Sequence, residues 1–512
     1  MDRKRFLKTS LVAAAATAAS IAGAGQAFAS PAQRADREDE SFDEVVDVIV
    51  VGSGLAGTVA AVTAAETGST TLLLEKMDQL GGTSRVSGLN FACTGSDEQA
   101  AEGIEDDPES LYQDMRKVAE DYGDPALARI VASKSVEFYR FLTERGVVFK
   151  QFKNGGGHSV KRILWAGGGR FLLDPLLAHA EQNLSDALEA RTRCKVDDLI
   201  VRDGRAVGVA VRENYSFHYE EPEKDDAENA SGRARRIGAR RGVVFATGGY
   251  ARDRELLRAE SAILAQADSM TNPGATSGTL RMLTSHGAQA VNLSLFRLSY
   301  PIPTEDVCWG MLVNPDGKRF VNELGSRNDL GVIILKEMLD YDGKPPLLVY
   351  DSRGIELFRD KQRLEMSLAG RNFKNGSMYA FDTVEEIAEH FGYDPSVLAA
   401  AVDRYNQMFD DGRDEDFGKD MAALNGAALK QPPFYAMNLI PNNNYTPGGV
   451  RIDTSARVLD ASGNPIDGLF AAGEASGGVH GAQRLTACSC PDCGAFGMIA
   501  GEEAAKREPV DL

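Results

Sequence analysis

Apolar and polar positions fall into short blocks along the chain, and the blocks change period in a regular order. Val45-Val46-Asp47-Val48-Ile49-Val50-Val51 is a β-branched run of the kind that forms a buried strand. Glycines interrupt it, an Ala-rich stretch from Thr58 to Thr67 has helical character, and Thr70 to Leu74 makes a second strand. Strand, helix and strand in succession predict a parallel sheet. Ala206 to Arg212 alternates, and Gly242 to Ala246 is an apolar run that leads into Thr247-Gly248-Gly249. Between these two strands, Tyr219 to Arg241 is acidic and then basic with almost no apolar content, which reads as a solvated hairpin loop. Residues 290 to 440 mix strand and helix patterns, as a separate lobe would. Gly468 to Glu474 is a further strand ending in a glycine turn, and Phe496 to Ala505 reads as a closing helix. No internal repeat is found.

Composition narrows the picture. At 512 residues the chain is too long for one core of usual size, and its 43% hydrophobic and 26% charged residues are those of a globular protein. A net charge of −19 argues against nucleic acid or an anionic membrane as the main partner, although a local basic pocket remains compatible with an anionic substrate. Arg3, Lys4, Arg5 and Lys8 precede a mildly apolar run from Leu11 to Ala24, and Ala27-Phe28-Ala29 fits a cleavage site. The run is too weakly apolar for a good membrane span, so no stable membrane insertion is expected. Arg3-Lys4-Arg5-Phe6-Leu7-Lys8 resembles a twin-arginine export signal with Lys4 in place of the second arginine. An ordinary secretory signal and an uncleaved anchor are the alternatives. Six cysteines exclude a disulfide scaffold, and without a C-x-x-C-H motif the chain carries no c-type haem site.

The most informative segment follows the first strand. In Gly52-Ser53-Gly54-Leu55-Ala56-Gly57 the first glycine permits a tight turn, the second lets backbone approach a pyrophosphate, and the third allows close helix–strand packing. The helix N-terminus offers N–H groups and a positive dipole end to phosphates. Glu75 closes the second strand, where a carboxylate can take ribose hydroxyls. This is a dinucleotide site, and the motif by itself does not separate FAD from NAD.

The segments beyond it carry a family resemblance. Glu75-Lys76, Gly81-Gly82-Thr83-Ser84 and Ser87-Gly88, then Ala246-Thr247-Gly248-Gly249, then Gly468 to Glu474 through Gly477-Gly478-Val479-His480-Gly481, resemble the flavoprotein family of fumarate reductases, succinate dehydrogenases, urocanate reductases and 3-ketosteroid dehydrogenases. The resemblance spans about 45 to 506. It implies a Rossmann-like α/β FAD-binding domain with an inserted α+β capping domain. The corresponding boundaries are an export signal at 1–29, a linker at 30–44, FAD-binding parts at 45–289 and 441–512, and a capping domain at 290–440. It also implies that Gly52, Gly54, Ala56, Gly57, Glu75, Lys76, Gly82, Thr83, Ser84, Gly88, Ala246, Thr247, Gly248, Gly473, Glu474 and Leu485 bind FAD. Family members with covalent FAD place a histidine around Ser84 to Val86; none is present, so non-covalent FAD is expected.

Lys318 to Glu323 followed by Ser326-Arg327-Asn328 resembles the segment carrying that family's proton-donating arginine, and His480 to Leu485 the segment whose arginine grips a substrate carboxylate. The resemblance therefore assigns these roles to Arg327 and Arg484; simple ion pairing, for instance with Glu323 or Asp492, is the alternative. A guanidinium is a poor acid, so a donor of this type needs a relay, for which Glu305 and Asp306 are candidates. Tyr445 and Tyr300 stand where the family has histidines, which points away from fumarate and toward a larger, partly aromatic substrate. Thr276-Ser277-Gly278-Thr279 lacks a usual FAD-contacting aspartate. Cys488, Cys490 and Cys493 replace a Gly-Gly-Asn-rich segment, and read as packed thiols, a redox disulfide or a metal site, with no metal assigned.

The expectation is an exported FAD-dependent reductase of an activated C=C bond in an unsaturated acid or ketone, fed by an external donor such as a cytochrome or quinol-linked protein. A ketosteroid-type dehydrogenase using Tyr300 or Tyr445, and a non-catalytic flavin carrier, are the alternatives.

Overall fold

A computed structural model describes residues 41–371 and 376–512, so the predicted export signal and most of the linker lie outside the described residues. The β-branched run forms β1 (Glu44–Val51), followed by α1 (Leu55–Glu66) and β2 (Thr71–Leu74). The end of the predicted linker is already structured: Asp43 N–H donates to Arg236 O at 2.9 Å, and the Arg202 guanidinium lies 4.5 Å from the Phe42 ring centre. Further along come β3 (Leu188–Arg191), β4 (Cys194–Arg202), β5 (Arg205–Glu213) and β6 (Arg233–Phe245). The elements that shape the site are β7 (Arg297–Ser299), α2 (Arg327–Asp340), β8 (Asn442–Tyr445), β9 (Arg457–Leu459), β10 (Pro465–Ala471) and α3 (Ser489–Lys506).

The main sheet has eight strands in the order β9-β10-β5-β6-β1-β2-β3, with β4 paired to β5. Its centre is parallel, β1 lying between β2 and β6, and β10 adding to β6 through Leu469 opposite Val243. Strands buried on both faces need near-continuous apolar sequence, and Val48 to Val51 are at most 5% exposed. The Ala-rich composition of α1 has a packing cause. A Cβ on Gly497 of α3 would lie 2.7 Å from Ala56 O, and one on Gly501 2.3 Å from Ala60 O, so the two helices touch backbone to backbone.

The block Tyr219 to Arg241 is not a solvated hairpin loop. Its basic half is the start of β6, paired with β5 and with β1. Its charge is matched across strands: Arg235 lies 3.2 Å from Glu213 and 3.7 Å from Glu44, and Arg240 3.0 Å from Asp47. A charge-only reading of one segment misses acids supplied by its neighbours. In the acidic half, Asp225 is fully buried and accepts from the Tyr215 hydroxyl at 2.5 Å.

A second apolar cluster runs from Ala267 to Leu439 around a four-stranded antiparallel sheet ordered Met311–Val313, Leu347–Tyr350, Phe434–Asn438, Tyr379–Phe381. It holds a buried ion network in which Glu323 meets Arg319 at 2.9 Å and Lys419 at 3.0 Å, while Arg319 also meets Asp414 at 2.8 Å. Residues Phe42–Leu512 form one compact unit. Among the described residues no helix is long and apolar enough to cross a membrane.

Candidate active site

Three turns that are distant in sequence meet at the N-terminus of α1. Gly52 has φ +97°, and a Cβ there would lie 2.5 Å from Ala246 O, so the first turn sits directly on the strand end leading to Thr247 and Gly248. Gly473 has φ +67°, and its Cβ would lie 2.8 Å from that of Ala56, which brings the third turn onto the first. Thr247, Gly248, Thr276, Gly449 and Glu474 line one concavity beside them. Gly54 caps α1 without a side-chain acceptor, and Leu55 N–H is taken by Ser84 Oγ at 3.0 Å. The helix start is therefore a backbone cradle with a positive dipole end, free of any carboxylate cap.

The other expected cofactor residues surround this cradle. Glu75 accepts from Ser53 N at 3.0 Å, Ser53 Oγ at 2.6 Å and Met77 N at 2.8 Å, which leaves acceptor capacity for a hydroxyl. Gly82, Thr83 and Ser84 form a short helix, and Thr83 Oγ1 accepts from Asn272 N at 3.1 Å. Gly88 O accepts from Trp165 Nε1 at 3.1 Å, and Leu485 is buried beside Gly157. Lys76 turns to Thr276 Oγ1 at 3.0 Å and lies 3.9 Å from Asp226. Asp226 also accepts from Gly278 N at 2.9 Å. A carboxylate from the charged block thus stands at the segment whose own aspartate is missing. The donor set fits FAD: the start of α1 would meet its phosphates, Glu75 a ribose, and Glu474 its ribityl hydroxyls.

Glu474 is half-buried where Thr446 N and Oγ1 donate to it at 2.8 and 3.0 Å, yet desolvation pushes its pKa up to about 6. The folded protein therefore binds this proton more tightly than the unfolded chain. The resulting stabilisation is complete below the ordinary glutamate pKa of 4.5 and is lost as pH rises through about 6. For the apoprotein, Glu474→Gln is expected to remove a component of ~2 kcal/mol from the fall in stability across that window. Urea unfolding of both proteins at several pH values checks it; parallel curves would remove Glu474 as the source.

On the substrate side, β7 pairs antiparallel with β8, placing Arg297 opposite Tyr445. Arg484 lies 4.7 Å from the Tyr445 ring centre, and its Nε has no hydrogen-bond partner. Tyr445 donates to Asp492 Oδ2 at 3.2 Å, and His480 Nε2 is 3.0 Å from the same oxygen. Burial holds His480 below the ordinary imidazole pKa, so at neutral pH it is neutral and donates from Nε2. Arg327 is the first residue of α2; its Nε donates to Thr304 Oγ1 at 2.8 Å, and Glu305 is 3.9 Å away. Tyr300 donates its hydroxyl to Arg327 O at 2.7 Å, and Arg363 braces the Tyr300 and Pro301 carbonyls at 2.8 and 2.9 Å.

These contacts sort the expectations from the sequence. The arginine that pairs with Glu323 is Arg319, so Arg327 is not spent on that ion pair. Of the two relay candidates only Glu305 faces Arg327. Asp306 is turned toward the Arg359 N–H and Trp309 Nε1, each at 3.2 Å, and burial raises its pKa. Tyr300 and Tyr445 are 1% and 5% exposed with hydroxyls committed, so neither ring supplies the stacking face expected for an aromatic substrate. Arg297, Thr304 and Arg363 belong to no motif and were missed; Arg297 is visible only once β7 is paired with β8.

All six cysteines are unbonded. Cys488 caps α3, Cys490 and Cys493 follow in its first turns, and burial pushes all three thiols up. A Cβ on Gly473 would lie 3.2 Å from Cys493 Sγ. These are packed thiols, Cys493 against the third turn and Cys488 and Cys490 in the apolar core, and among the described residues no group of three or more His, Cys, Asp or Glu is placed to hold a metal. The closing helix starts at Ser489 rather than Phe496, since Pro491 is tolerated in a first turn.

Comparison with known proteins identifies the family and the cofactor. Residues 47–490 match the FAD binding domain family. The acrylate reductase flavoprotein subunit of Shewanella woodyi is 32% identical over 94% of this chain and 95% of its own length. The urocanate reductase of Eggerthella lenta is 31% identical over 91% of this chain and 75% of its own length. A solved flavocytochrome c3 fumarate reductase in an open conformation superposes with a TM-score of 0.77 at 30% identity, covering 91% of this chain and 79% of its own. The chain belongs to the FAD binding domain family, as an FAD-dependent oxidoreductase of the fumarate-reductase-like group that acts on CH–CH bonds.

Proposed function

We propose that this protein reduces the C=C bond of an α,β-unsaturated acid. The observation that supports the reading is that Arg484 lies 4.7 Å from the Tyr445 ring centre with its Nε unsatisfied, while Arg327 opens α2 with Glu305 3.9 Å away. Reduced FAD, when bound, supplies a hydride from N5 to one alkene carbon. Arg484 holds the substrate carboxylate, where negative charge accumulates as the hydride arrives, and fixed cations stabilise that charge most in a desolvated site. Arg327 gives a proton to the other carbon and regains it by way of Glu305. Tyr300 fixes the Arg327 backbone, and Tyr445 with Asp492 fixes the floor under Arg484. The dehydrogenase alternative needs a phenolate base, and burial raises the pKa of both Tyr300 and Tyr445.

Similarity along the whole length of an acrylate reductase flavoprotein subunit supports electron delivery by a separate protein, a cytochrome or quinol-linked donor, and the basic N-terminal segment supports export. The test is anaerobic reoxidation of the dithionite-reduced holoprotein by acrylate, fumarate, urocanate, cinnamates and 3-keto-Δ4-steroids. Rapid reoxidation by an unsaturated acid is expected. Retained flavin with no reoxidation across the panel would instead support a carrier, and bleaching of the oxidised flavin by a saturated ketosteroid would support the dehydrogenase.

A further inference from the structure

Arg297 is a cation without a counter-charge. Among the described residues no carboxylate lies within 4.0 Å of it, and its hydrogen bond is a 3.3 Å contact from Nη1 to Asn444 Oδ1. Arg484 is in the same position: its side-chain bond goes to the Leu485 carbonyl at 3.2 Å, and its Nε is unsatisfied. Arg297 is half-buried and within electrostatic reach of Arg484 and Arg327. Desolvation, reinforced by these two like charges, depresses its pKa well below the ordinary guanidinium value.

The two most enclosed arginines elsewhere are neutralised by carboxylates, whereas the half-buried Arg252 and Arg363 rest on backbone carbonyls. Arg162 has Asp106 at 2.9 Å and Asp114 at 2.7 Å, and Arg319 has Glu323 and Asp414. An unpaired, desolvated cation beside like charges is unfavourable unless a ligand completes the site. The Glu305 carboxylate is on the Arg327 side, and a single substrate carboxylate on Arg484 leaves Arg297 uncompensated.

We propose that Arg297 is a specificity-determining residue that holds a second anionic group of the substrate, separate from the carboxylate on Arg484. The site then selects unsaturated acids bearing two negative charges over monoanionic analogues of the same skeleton. Tyr445 is opposite Arg297 in the strand pair, and the Arg484 guanidinium lies 4.7 Å from its ring centre. The identity of the ligands as unsaturated acids rests on the reductase reading; the charge requirement rests on the arginines alone.

The test uses matched pairs, acrylate with fumarate and cinnamate with 4-carboxycinnamate. Binding to the oxidised holoprotein is read from the perturbation of flavin absorbance, and KM and kcat from anaerobic reoxidation. The wild type is expected to bind the dianion of each pair more tightly. Arg297→Gln is expected to lower that dianion-to-monoanion affinity ratio about tenfold or more, chiefly through KM, and Arg297→Lys to restore part of it. A wild type without dianion preference, or a ratio unchanged in Arg297→Gln, overturns the proposal. A ratio that shifts in binding while no acceptor reoxidises the reduced protein keeps the Arg297 assignment and removes the reductase reading.

Discussion

Arg327→Ala is expected to slow acceptor-driven flavin reoxidation by about 10³-fold while leaving FAD bound, in line with the loss of a positioned proton donor. The separation of effects follows from the contacts. Among the described residues the polar contacts of the Arg327 side chain go to Thr304 and Glu305, which are not part of the glycine turns around α1. The bond from Tyr300 goes to the Arg327 backbone carbonyl and survives truncation, so the start of α2 keeps its anchor. Alanine is also well tolerated in a helix. Arg327→Lys keeps a charge but loses the planar fork that reaches Thr304 through Nε, and recovery of no more than a small part of the rate is expected. Stopped-flow reoxidation with a saturating acceptor, normalised to flavin content, measures both variants. A loss smaller than tenfold in the alanine variant would take proton donation away from Arg327.

Glu323→Ala is expected to destabilise the protein by ~3–5 kcal/mol, the usual result of deleting one partner from a buried ion network. Glu323 is 1% exposed, meets Lys419 and Arg319, and accepts from Leu312 N at 3.0 Å. Arg319 keeps Asp414, but Lys419 is left fully buried with only the Gly310 carbonyl at 2.8 Å and the Tyr405 hydroxyl at 2.8 Å. Because Glu323 immediately precedes the turn into α2, the loss should also loosen Arg327. Urea unfolding monitored by circular dichroism gives the stability, and a change below about 1 kcal/mol would mean that the network is solvated.

Much of the cofactor half is legible in the sequence because its requirements are local. Gly52, Gly54 and Gly57 are dictated by one turn and one helix, and the β-branched run before them can only be an interior strand of a parallel sheet. The substrate half is different. Arg297 acquires meaning through pairing with Tyr445, far along the chain, and Asp226 does so through Gly278. The charged block around Arg235 looked solvated because its acids, Glu213 and Glu44, come from other strands. Arg327 and Arg319 were indistinguishable as partners of Glu323, since both lie four residues from it, until the fold chose Arg319.

One carboxylate ties the floor of the site together. Asp492 Oδ2 receives both the Tyr445 hydroxyl and His480 Nε2, and its residue sits in the first turns of α3, next to Cys493, which packs on the third turn. Drift in substrate preference is therefore constrained at this point. A lineage that exchanged Tyr445 for an apolar residue would strip Asp492 of one donor and burden α3, so viable changes of specificity here should arrive as paired substitutions. Positions such as Arg297, which carry no such shared debt, are the ones free to change first.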